Sequence, residues 1–302
     1  MYREVASILF LIVLFVPAPI RAAVNKLDLP VMIPDQQWRP LYEAMDDELQ
    51  QKLETRLRKN RRWATLLGQR KMAVGLVDLT NPSAPRFAHI NGSTMMYAAS
   101  LPKIVILLAC AQAFEDGAMT ETPEVIDDLN QMIRVSSNGA AARMFERVGF
   151  ERISAVLTHP QYQLYDPRRG GGLWVGKPYG KSGVRYPDPL EGLSHGATAT
   201  QVCRFYYLLA TGRLINTKRS KQMLDCLVAP DLHHKFVSIV EQREPNAQIY
   251  RKSGTWKNWH SDSMLVWGND WRRYILVGLV DDVRGEQILR DLVPAIEGVL
   301  GH

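Results

Sequence analysis

Cysteine is scarce in this sequence, which has 3 among its 302 residues. So few thiols exclude a small scaffold held together by several disulfides, and 46% hydrophobic residues suffice to build a large buried core instead. Cys110 lies in an apolar helical segment and is expected to be a buried free thiol. Cys203 and Cys226 flank a predicted helical hairpin, and the sequence leaves open whether they pair.

The chain also lacks an apolar run of the roughly 20 residues that a membrane-spanning helix needs. The N-terminal stretch from Val5 to Val16 follows Arg3, ends at Pro17 and is followed by small residues. This order is typical of a secretory signal peptide, so we expect residues 1–23 to be removed. The mature protein would then be periplasmic or secreted, without stable membrane insertion. An uncleaved anchor is the alternative.

A strong charge of one sign is absent as well. The net charge is +6, and the basic residues are scattered or sit in short patches such as Arg56 to Arg62. This net charge is too low, and the basic residues too dispersed, for a nucleic-acid-binding surface, so no nucleic-acid partner is expected. The histidines show no spacing such as H-x-x-x-H, and the adjacent His233 and His234 are expected in a surface turn. We therefore predict no metal and no other cofactor.

Hydrophobic periodicity and turn residues place strands at both ends of the chain and helices between and around them. The predicted strands are residues 71–79, 86–92, 247–254, 261–268 and 272–280, and the predicted helices are residues 46–70, 98–109, 121–148, 198–209, 220–227 and 286–299. We therefore expect an α+β fold, an α/β sandwich. One antiparallel five-stranded sheet would combine strands from both chain ends, with an all-helical lobe inserted between them.

The segment AASLPKIVILLA places Ser100 three residues before Lys103, where an apolar helix begins. Residues three apart share a helix face, so Ser100 Oγ and Lys103 Nζ can come within hydrogen-bond range. A lysine whose pKa is lowered by burial can accept the serine proton. Taken alone, the pattern is also explained by a serine N-cap followed by a solvated lysine.

Two further short motifs follow. Ser136, Ser137 and Asn138 form a polar triplet between apolar helical segments, which can place a hydroxyl and a carboxamide in a cleft. Alone, such a triplet is typical of a helix cap or turn. The motif K-S-G-T begins at Lys252 on a predicted strand, where Gly254 permits close approach by another backbone or a ligand. Alone, it is equally compatible with an edge strand that carries an exposed lysine.

The motifs S-x-x-K, S-x-N and K-[ST]-G stand in this order on a helix, a helix junction and a C-terminal strand, as in class A β-lactamases and penicillin-binding proteins. The sequence therefore resembles the penicillin-recognising serine hydrolases. Class A is the most similar group, because MIRVSSNGAAARMF resembles its segment around S-D-N. The resemblance implies a catalytic domain at residues 67–299 after an N-terminal extension and helix at 24–66. Its sheet lobe would comprise residues 67–95 and 246–299, and its helical lobe residues 96–245.

The resemblance also implies catalytic roles. Ser100 would be the nucleophile that forms an acyl-enzyme, and Lys103 the nearby base or proton relay. Ser136 would pass a proton to the leaving nitrogen. Lys252 would bias that hydroxyl electrostatically and attract the carboxylate of the substrate.

Substrate-binding roles follow from the same resemblance. Asn138 would bond the side-chain amide of the substrate, and the developing oxyanion would lie between the N–H groups of Ser100 and Thr255. Gly254 would let the strand approach, and the hydroxyls of Ser253 and Thr255 would contact the substrate carboxylate.

The sequence departs from the class A pattern at three points. The interval from Ser100 to Ser136 is short, as though a segment that walls one side of the cleft were missing. Ser137 stands where the family usually has aspartate. The third departure is the absence of the E-x-x-L-N pattern, which supplies the glutamate that activates the deacylating water.

The long irregular segment from Tyr165 to Gly196 is the place to look for a substitute, since loops of this length are usually functional. Among its carboxylates, Glu191 ranks first as a possible deacylation base, ahead of Asp166 and Asp188, and a solvated loop acid is the alternative. The segment also suggests a rebuilt loop that contacts an anionic or sugar-bearing ligand through Trp174, Lys177, Tyr179 and Lys181.

We therefore expect a secreted serine hydrolase of the class A β-lactamase type, acylated at Ser100 and hydrolysing β-lactam or related amide or ester bonds. Its partner would be a small-molecule β-lactam or a peptidoglycan-like acyl substrate, and the chain is expected to be a monomer. A D,D-peptidase or penicillin-binding-protein-like acyl transferase is one alternative, because it needs no deacylating glutamate. A catalytically silent module that binds wall fragments or antibiotics is the other.

Overall fold

A computed structural model describes residues 33–180, 183–269 and 271–301, so the predicted signal peptide at residues 1–23 lies outside the described residues. Helices α1 to α9 are Asp47–Arg58, Arg61–Gly68, Lys103–Glu115, Pro123–Arg134, Asn138–Thr158, Ala199–Ala210, Thr217–Leu227, Phe236–Arg243 and Gly285–Val299. Strands β1 to β10 are Met72–Asp78, Arg86–Ile90, Met96–Tyr97, Tyr165–Asp166, Gly171–Gly172, Trp174–Val175, His195–Ala197, Gln248–Trp256, Trp259–Trp267 and Arg273–Asp281. Within these ranges no helix has the length and apolar character needed to cross a membrane.

The main sheet has five antiparallel strands in the order β2-β1-β10-β9-β8. Strand β1 pairs with β10 from Met72 opposite Val280 to Asp78 opposite Tyr274, so the two ends of the chain meet in the middle of the sheet. The predicted α+β fold with one five-stranded sheet is therefore confirmed.

Helices cover both faces of this sheet, and alternate residues of β1 belong to different cores. Met72, Val74 and Leu76 pack in one core with α1, α2, α8 and α9. Ala73 and Val77 point to the other face, where the core includes residues of α3 to α7. The division into an N-terminal extension and a two-lobed domain stays a prediction.

Two predicted helices prove to be interrupted. The segment 46–70 breaks after Arg58, because the Asn60 side chain caps α2 by accepting from the N–H groups of Arg62 and Trp63. The segment 121–148 breaks between α4 and α5, where Ser136 has φ 60°. Helix α8 was not predicted at all.

The three cysteines among the described residues are buried free thiols, so Cys203 and Cys226 do not pair. The reason is their orientation. Cys203 Sγ packs against β1, where a Cβ added at Gly75 would lie 2.6 Å from it. Cys226 on α7 is instead near Cys110 on α3, where burial first and the Cys226 thiol second raise the pKa of Cys110.

The segment from Tyr165 to Gly196 contains four short strands and an aromatic anchor. Strands β3, β7 and β6 form a small sheet, which fastens this segment to the chain just before Ser100. Trp174 is buried, its Nε1–H donates to the Tyr186 carbonyl at 2.8 Å, and its ring packs against Tyr165 and Phe150. The prediction that Trp174 lies on a ligand-contacting surface is therefore wrong, because this side chain serves the packing of the loop.

Candidate active site

Ser100 lies in the turn that leads into α3, one helical turn before Lys103. The preceding residue, Ala99, has φ 50°, a left-handed conformation that costs a non-glycine residue about 1–3 kcal/mol. The Tyr179 hydroxyl donates to the Ala99 carbonyl at 3.1 Å and so holds this conformation. Among the described residues the Ser100 N–H finds no hydrogen-bond acceptor, so it is available to a ligand oxygen.

The Lys103 amine is buried and surrounded by acceptors. It donates to the Ser136 carbonyl at 2.6 Å and to Asn138 Oδ1 at 2.9 Å. Burial lowers the pKa of Lys103 to about 7, and it has no salt bridge with a carboxylate of the described residues. The Ser136 hydroxyl, 3.3 Å from Nζ, is a third acceptor. Among the described residues no hydrogen bond joins Lys103 Nζ to Ser100 Oγ, so the hydrogen bond that the sequence predicts between these two side chains is not formed in this structure. In its neutral form the amine has a lone pair that can take a hydroxyl proton.

Ser136 Oγ lies between two amines. It is 3.3 Å from Lys103 Nζ and 2.9 Å from Lys252 Nζ. Lys252 is buried in β8, and burial first and the charge of Lys103 second lower its pKa well below the usual range. A hydroxyl held in this way can accept a proton on one side and deliver one on the other.

The neighbouring residues of the helix junction explain why serine can replace the expected aspartate. Ser137 is the N-cap of α5, and its Oγ accepts from the Ala140 N–H at 3.2 Å. Serine and aspartate cap helices about equally well, so the junction keeps its shape. Asn138 is held by Lys103 and faces Gly180, where a Cβ would lie 3.3 Å from the Asn138 Cβ.

Gly254 lets strand β8 run directly against the chain that carries Ser100. A Cβ at this position would lie 2.3 Å from the Ala98 carbonyl oxygen and 2.6 Å from the Ser100 nitrogen. No side chain fits in that space, so glycine is required for the approach. The following residue, Thr255, is exposed and lines the cleft, while Ser253 is buried.

Lys235 is a third buried amine of the site, and the sequence did not reveal it. Its Nζ donates to the Gly254 carbonyl at 2.7 Å, to Thr255 Oγ1 at 2.8 Å and to the Ser261 carbonyl at 3.1 Å. Burial lowers its pKa to about 8. Because Lys235 occupies a lone pair of Thr255 Oγ1, the hydroxyl hydrogen of Thr255 is free to point into the cleft. No local pattern around Lys235 signals this contact, which joins distant segments.

The cleft has a volume of about 490 Å³ and two unlike walls. The motif wall consists of Ser100, Asn138 and Thr255, behind which the buried amines lie, and the loop wall consists of Lys177, Tyr179, Ser194 and His195. Tyr97 and Trp256 also line it. None of the described lining residues is a carboxylate. Among the residues that the structure describes, no cluster of three or more histidine, cysteine or carboxylate side chains is arranged to hold a metal ion.

The structure does not bring Glu191 to the cleft. Its side chain is exposed, and its N–H donates to Asp188 Oδ1 at 3.1 Å. Asp188 is buried and also accepts from the Tyr165 hydroxyl at 3.2 Å, so this carboxylate organises the turn that directs Glu191 outward. Asp166 pairs with neighbouring arginines.

Tyr179 occupies the loop wall opposite the buried amine. The Lys103 Nζ is 4.6 Å from its ring centroid, a favourable distance for a cation–π contact when the amine is protonated. The ring also packs on His195, with centroids 4.2 Å apart. The sequence predicts Lys177, Tyr179 and Lys181 as ligand contacts: Lys177 and the Tyr179 ring line the cleft, and Lys181 lies outside the described residues. The Tyr179 hydroxyl is committed to the Ala99 carbonyl.

The model of the Beta-lactamase enzyme family matches residues 120–296, which is more than half of the chain. The chain therefore belongs to the Beta-lactamase enzyme family, and it is a β-lactamase-like serine hydrolase. No curated protein matches the chain.

Several solved structures share the fold. The β-lactamase from Sphaerobacter thermophilus DSM 20745 has a TM-score of 0.63 and 15% identity, over 84% of this chain and 97% of that one. PBP-A has a TM-score of 0.59 and 16% identity, over 84% and 97%. A mutant of the class A β-lactamase of the last common ancestor of Gram-negative bacteria has a TM-score of 0.60 and 15% identity, over 80% and 98%. At these identities the likeness concerns the fold.

Proposed function

We propose that the protein is acylated at Ser100 by β-lactams or by related amide or ester substrates, and that it hydrolyses the resulting acyl-enzyme. The observation that carries this proposal is the position of Ser136 Oγ between Lys103 Nζ and Lys252 Nζ, beside the turn that presents Ser100. If Ser100 were only a helix cap and Lys103 only a solvated lysine, no such arrangement around Ser136 would be needed. Two buried amines that form no ion pair with a carboxylate of the described residues are a cost that a purely structural site has no reason to bear.

The chemistry begins at Lys103. Its neutral amine takes the proton from Ser100 Oγ, which attacks the carbonyl carbon of the substrate. The N–H groups of Ser100 and Thr255 stabilise the oxyanion, an interaction typically worth about 2.7–4 kcal/mol for each donor. Ser136 delivers its proton to the leaving nitrogen and regains one from a neighbouring amine. The C–N bond breaks, and the acyl group remains as an ester on Ser100 Oγ.

The substrate class follows from the hydrogen-bond donors at the floor of the cleft. Lys252 and Lys235 lie beneath Ser253 and Thr255, and the Thr255 hydroxyl is free to donate, so an anionic group such as a carboxylate fits here. The related folds include β-lactamases and a variant of PBP-A in an acyl-enzyme complex with penicillin G.

A second function is favoured by one observation. Because no carboxylate of the described residues lines the cleft, the acyl-enzyme has no glutamate to activate water. Slow deacylation would make the protein a penicillin-binding acyl transferase that passes its acyl group to an amine.

Intact-protein mass spectrometry with a fluorescent penicillin tests the proposal. We expect a mass increase of one acyl group on the wild type, localised to Ser100 by peptide mapping, and none on Ser100→Ala. Ser83→Ala, which changes an exposed serine in the β1–β2 turn, is the matched control and should label like the wild type. Absence of any adduct on the wild type, with penicillins and with activated esters, would overturn the proposal.

Nitrocefin turnover separates the two functions. Continued hydrolysis over many equivalents supports a hydrolase, whereas a burst of one equivalent followed by a stable adduct supports the acyl transferase.

We further propose that the protein acts in the periplasm or outside the cell. The signal-like order of residues 1–23 supports this location. N-terminal sequencing of the mature protein from an extracytoplasmic fraction is expected to begin near residue 24. A full-length chain found in the cytoplasm would contradict it.

A further inference from the structure

Hydrolysis of an ester on Ser100 requires a group that accepts a proton from the attacking water. The expected carboxylate is missing from the described lining of the cleft, and Glu191 points outward. The loop wall, however, contains a hydroxyl and an imidazole that none of the acylation steps uses, Ser194 and His195.

These two side chains form an oriented pair. Ser194 Oγ is 3.1 Å from His195 Nδ1, and His195 Nε2 is 3.0 Å from the Lys177 carbonyl oxygen. A carbonyl oxygen only accepts, so Nε2 carries the ring hydrogen. The lone pair of Nδ1 then accepts the hydroxyl hydrogen of Ser194. A hydroxyl, a base and a third group that orients the base are the parts from which activated serine sites are built.

The pair is fixed relative to the nucleophile. The His195 carbonyl accepts from the Ala98 N–H at 2.9 Å, two residues before Ser100. The Tyr179 ring packs between the imidazole and the Lys103 amine, at 4.2 and 4.6 Å from its centroid. His195 itself is 5% exposed, whereas Ser194 is half-buried, so the hydroxyl is the member of the pair that reaches the cleft more freely.

The surroundings keep the imidazole neutral. Burial is the main cause that lowers the pKa of His195, to about 4. The hydrogen bond to the Lys177 carbonyl raises this pKa, and the charges of Lys177, Lys103 and Arg185 lower it further. The other rings that face it belong to Tyr97 and Tyr179. A neutral imidazole of this basicity resembles a carboxylate, whose ordinary pKa is about 4.3 for glutamate.

We propose that Ser194 and His195 form the proton relay that activates the deacylating water, an inference that rests on the proposed function. The water oxygen attacks the acyl carbon while a water proton passes to Ser194 Oγ and the Ser194 proton passes to His195 Nδ1. As the tetrahedral intermediate collapses, the bond between Ser100 Oγ and the acyl carbon breaks. The imidazolium returns its proton along the same relay to the cleft, where Ser100 Oγ is reprotonated. The products are the free acid and the free serine.

The experiment separates acylation from deacylation, with the two rates followed by intact mass after a pulse of fluorescent penicillin. His195→Gln keeps a donor toward the Lys177 carbonyl but has no basic nitrogen, and Ser194→Ala removes the relaying hydroxyl. Both are expected to acylate like the wild type and to lose at least about 10²-fold in deacylation rate. Ser194→Thr is expected to recover most of that loss. His159→Gln, at an exposed position after α5, is the control.

A pH profile distinguishes a proton acceptor from a structural role. Deacylation by the wild type is expected to fall as the pH is lowered through about 4, where His195 becomes protonated, and His195→Gln should lack this limb. Unchanged adduct lifetimes in His195→Gln and Ser194→Ala would overturn the inference. So would a wild-type limb near pH 7, since Lys103 would then be the base. If the wild type forms no adduct, the proposed function itself fails, and the relay with it.

Discussion

The two walls of the cleft differ in how they are built and in what they do with a proton. The motif wall is backed by Lys103 and Lys252, which are held on a regular helix and strand and converge on one hydroxyl. The loop wall presents Tyr179 and the pair Ser194 and His195, fastened by short strands and by hydrogen bonds to main-chain carbonyls. The amines proposed to act in forming the acyl-enzyme therefore stand on α3 and β8, whereas the groups proposed to act in hydrolysing it stand in the segment from Tyr165 to Gly196, with His195 at the start of the short strand β7. A loop can be rebuilt without disturbing the sheet, so the rate of deacylation is free to change while acylation is retained.

Removing an amine from the motif wall should have the largest effect. Lys103→Met is expected to reduce acylation by roughly 10²–10⁴-fold, because the variant lacks the amine that takes the Ser100 proton. In the wild type, acylation should increase as the pH is raised through about 7, since the neutral amine is the reactive form. Stopped-flow acylation from pH 5.5 to 9 measures both.

Lys52→Met is the control for that variant, since Lys52 is an exposed helix residue paired with Glu48 and should acylate at the wild-type rate. A Lys103→Met variant that acylates normally would show that the motif wall does not depend on this amine.

A backbone contact of the motif wall is tested by Gly254→Ala. The added Cβ would meet the Ala98 carbonyl at 2.3 Å and the Ser100 nitrogen at 2.6 Å, so β8 must move away from Ser100. We expect a loss of acylation of about 10²-fold or more, as for the loss of one oxyanion donor. Thermal unfolding should also show a lower Tm.

Gly68→Ala supplies the comparison, because a Cβ there meets nothing within 4 Å. It should leave acylation unchanged and stabilise the end of α2 slightly. Normal acylation by Gly254→Ala would show that acylation does not depend on the close approach of β8 to Ser100.

The contact that joins the walls is tested by Tyr179→Phe, which keeps the ring and removes the hydroxyl. The Ala99 carbonyl loses its donor, so the free energy of unfolding is expected to fall by about 1–3 kcal/mol. Acylation should slow by less than in Lys103→Met. Urea unfolding and acylation kinetics measure these changes, and an unchanged stability would mean that Ala99 does not need this hydrogen bond.

The smallest effect is expected for Glu191→Gln. Because this carboxylate is exposed and outside the cleft, acylation and deacylation should both stay near the wild-type rates. A large loss of deacylation in nitrocefin assays would instead identify Glu191 as the base, and the loop would then have to move to bring this carboxylate into the cleft.

Much of the fold follows from local signals. The bounds predicted for strand β1 differ from the observed ones by one residue at each end, because the strand is apolar up to Asp78 and a turn rich in proline follows it. The broken helices were missed because Asn60 and Ser137 act as caps inside segments whose periodicity continues across them. The site shows the same division. Ser100, Lys103, Ser136 and Lys252 stand in short motifs, whereas Lys235, Ser194 and His195 stand in none.

The order of three motifs and the apolar pattern of the strands belong to the sequence, and they determine the family and the architecture. Only the tertiary structure decided which groups face Ser100 from the other side. Tyr179 reaches Ala99 across about a quarter of the chain, and His195 reaches Ala98 across about a third of it. Lys235, just before α8, reaches Thr255 on β8. Contacts of this kind depend on where folded elements meet. A hydrogen bond joins atoms about 3 Å apart in space, whatever their separation along the chain, so it produces no periodic pattern in the sequence.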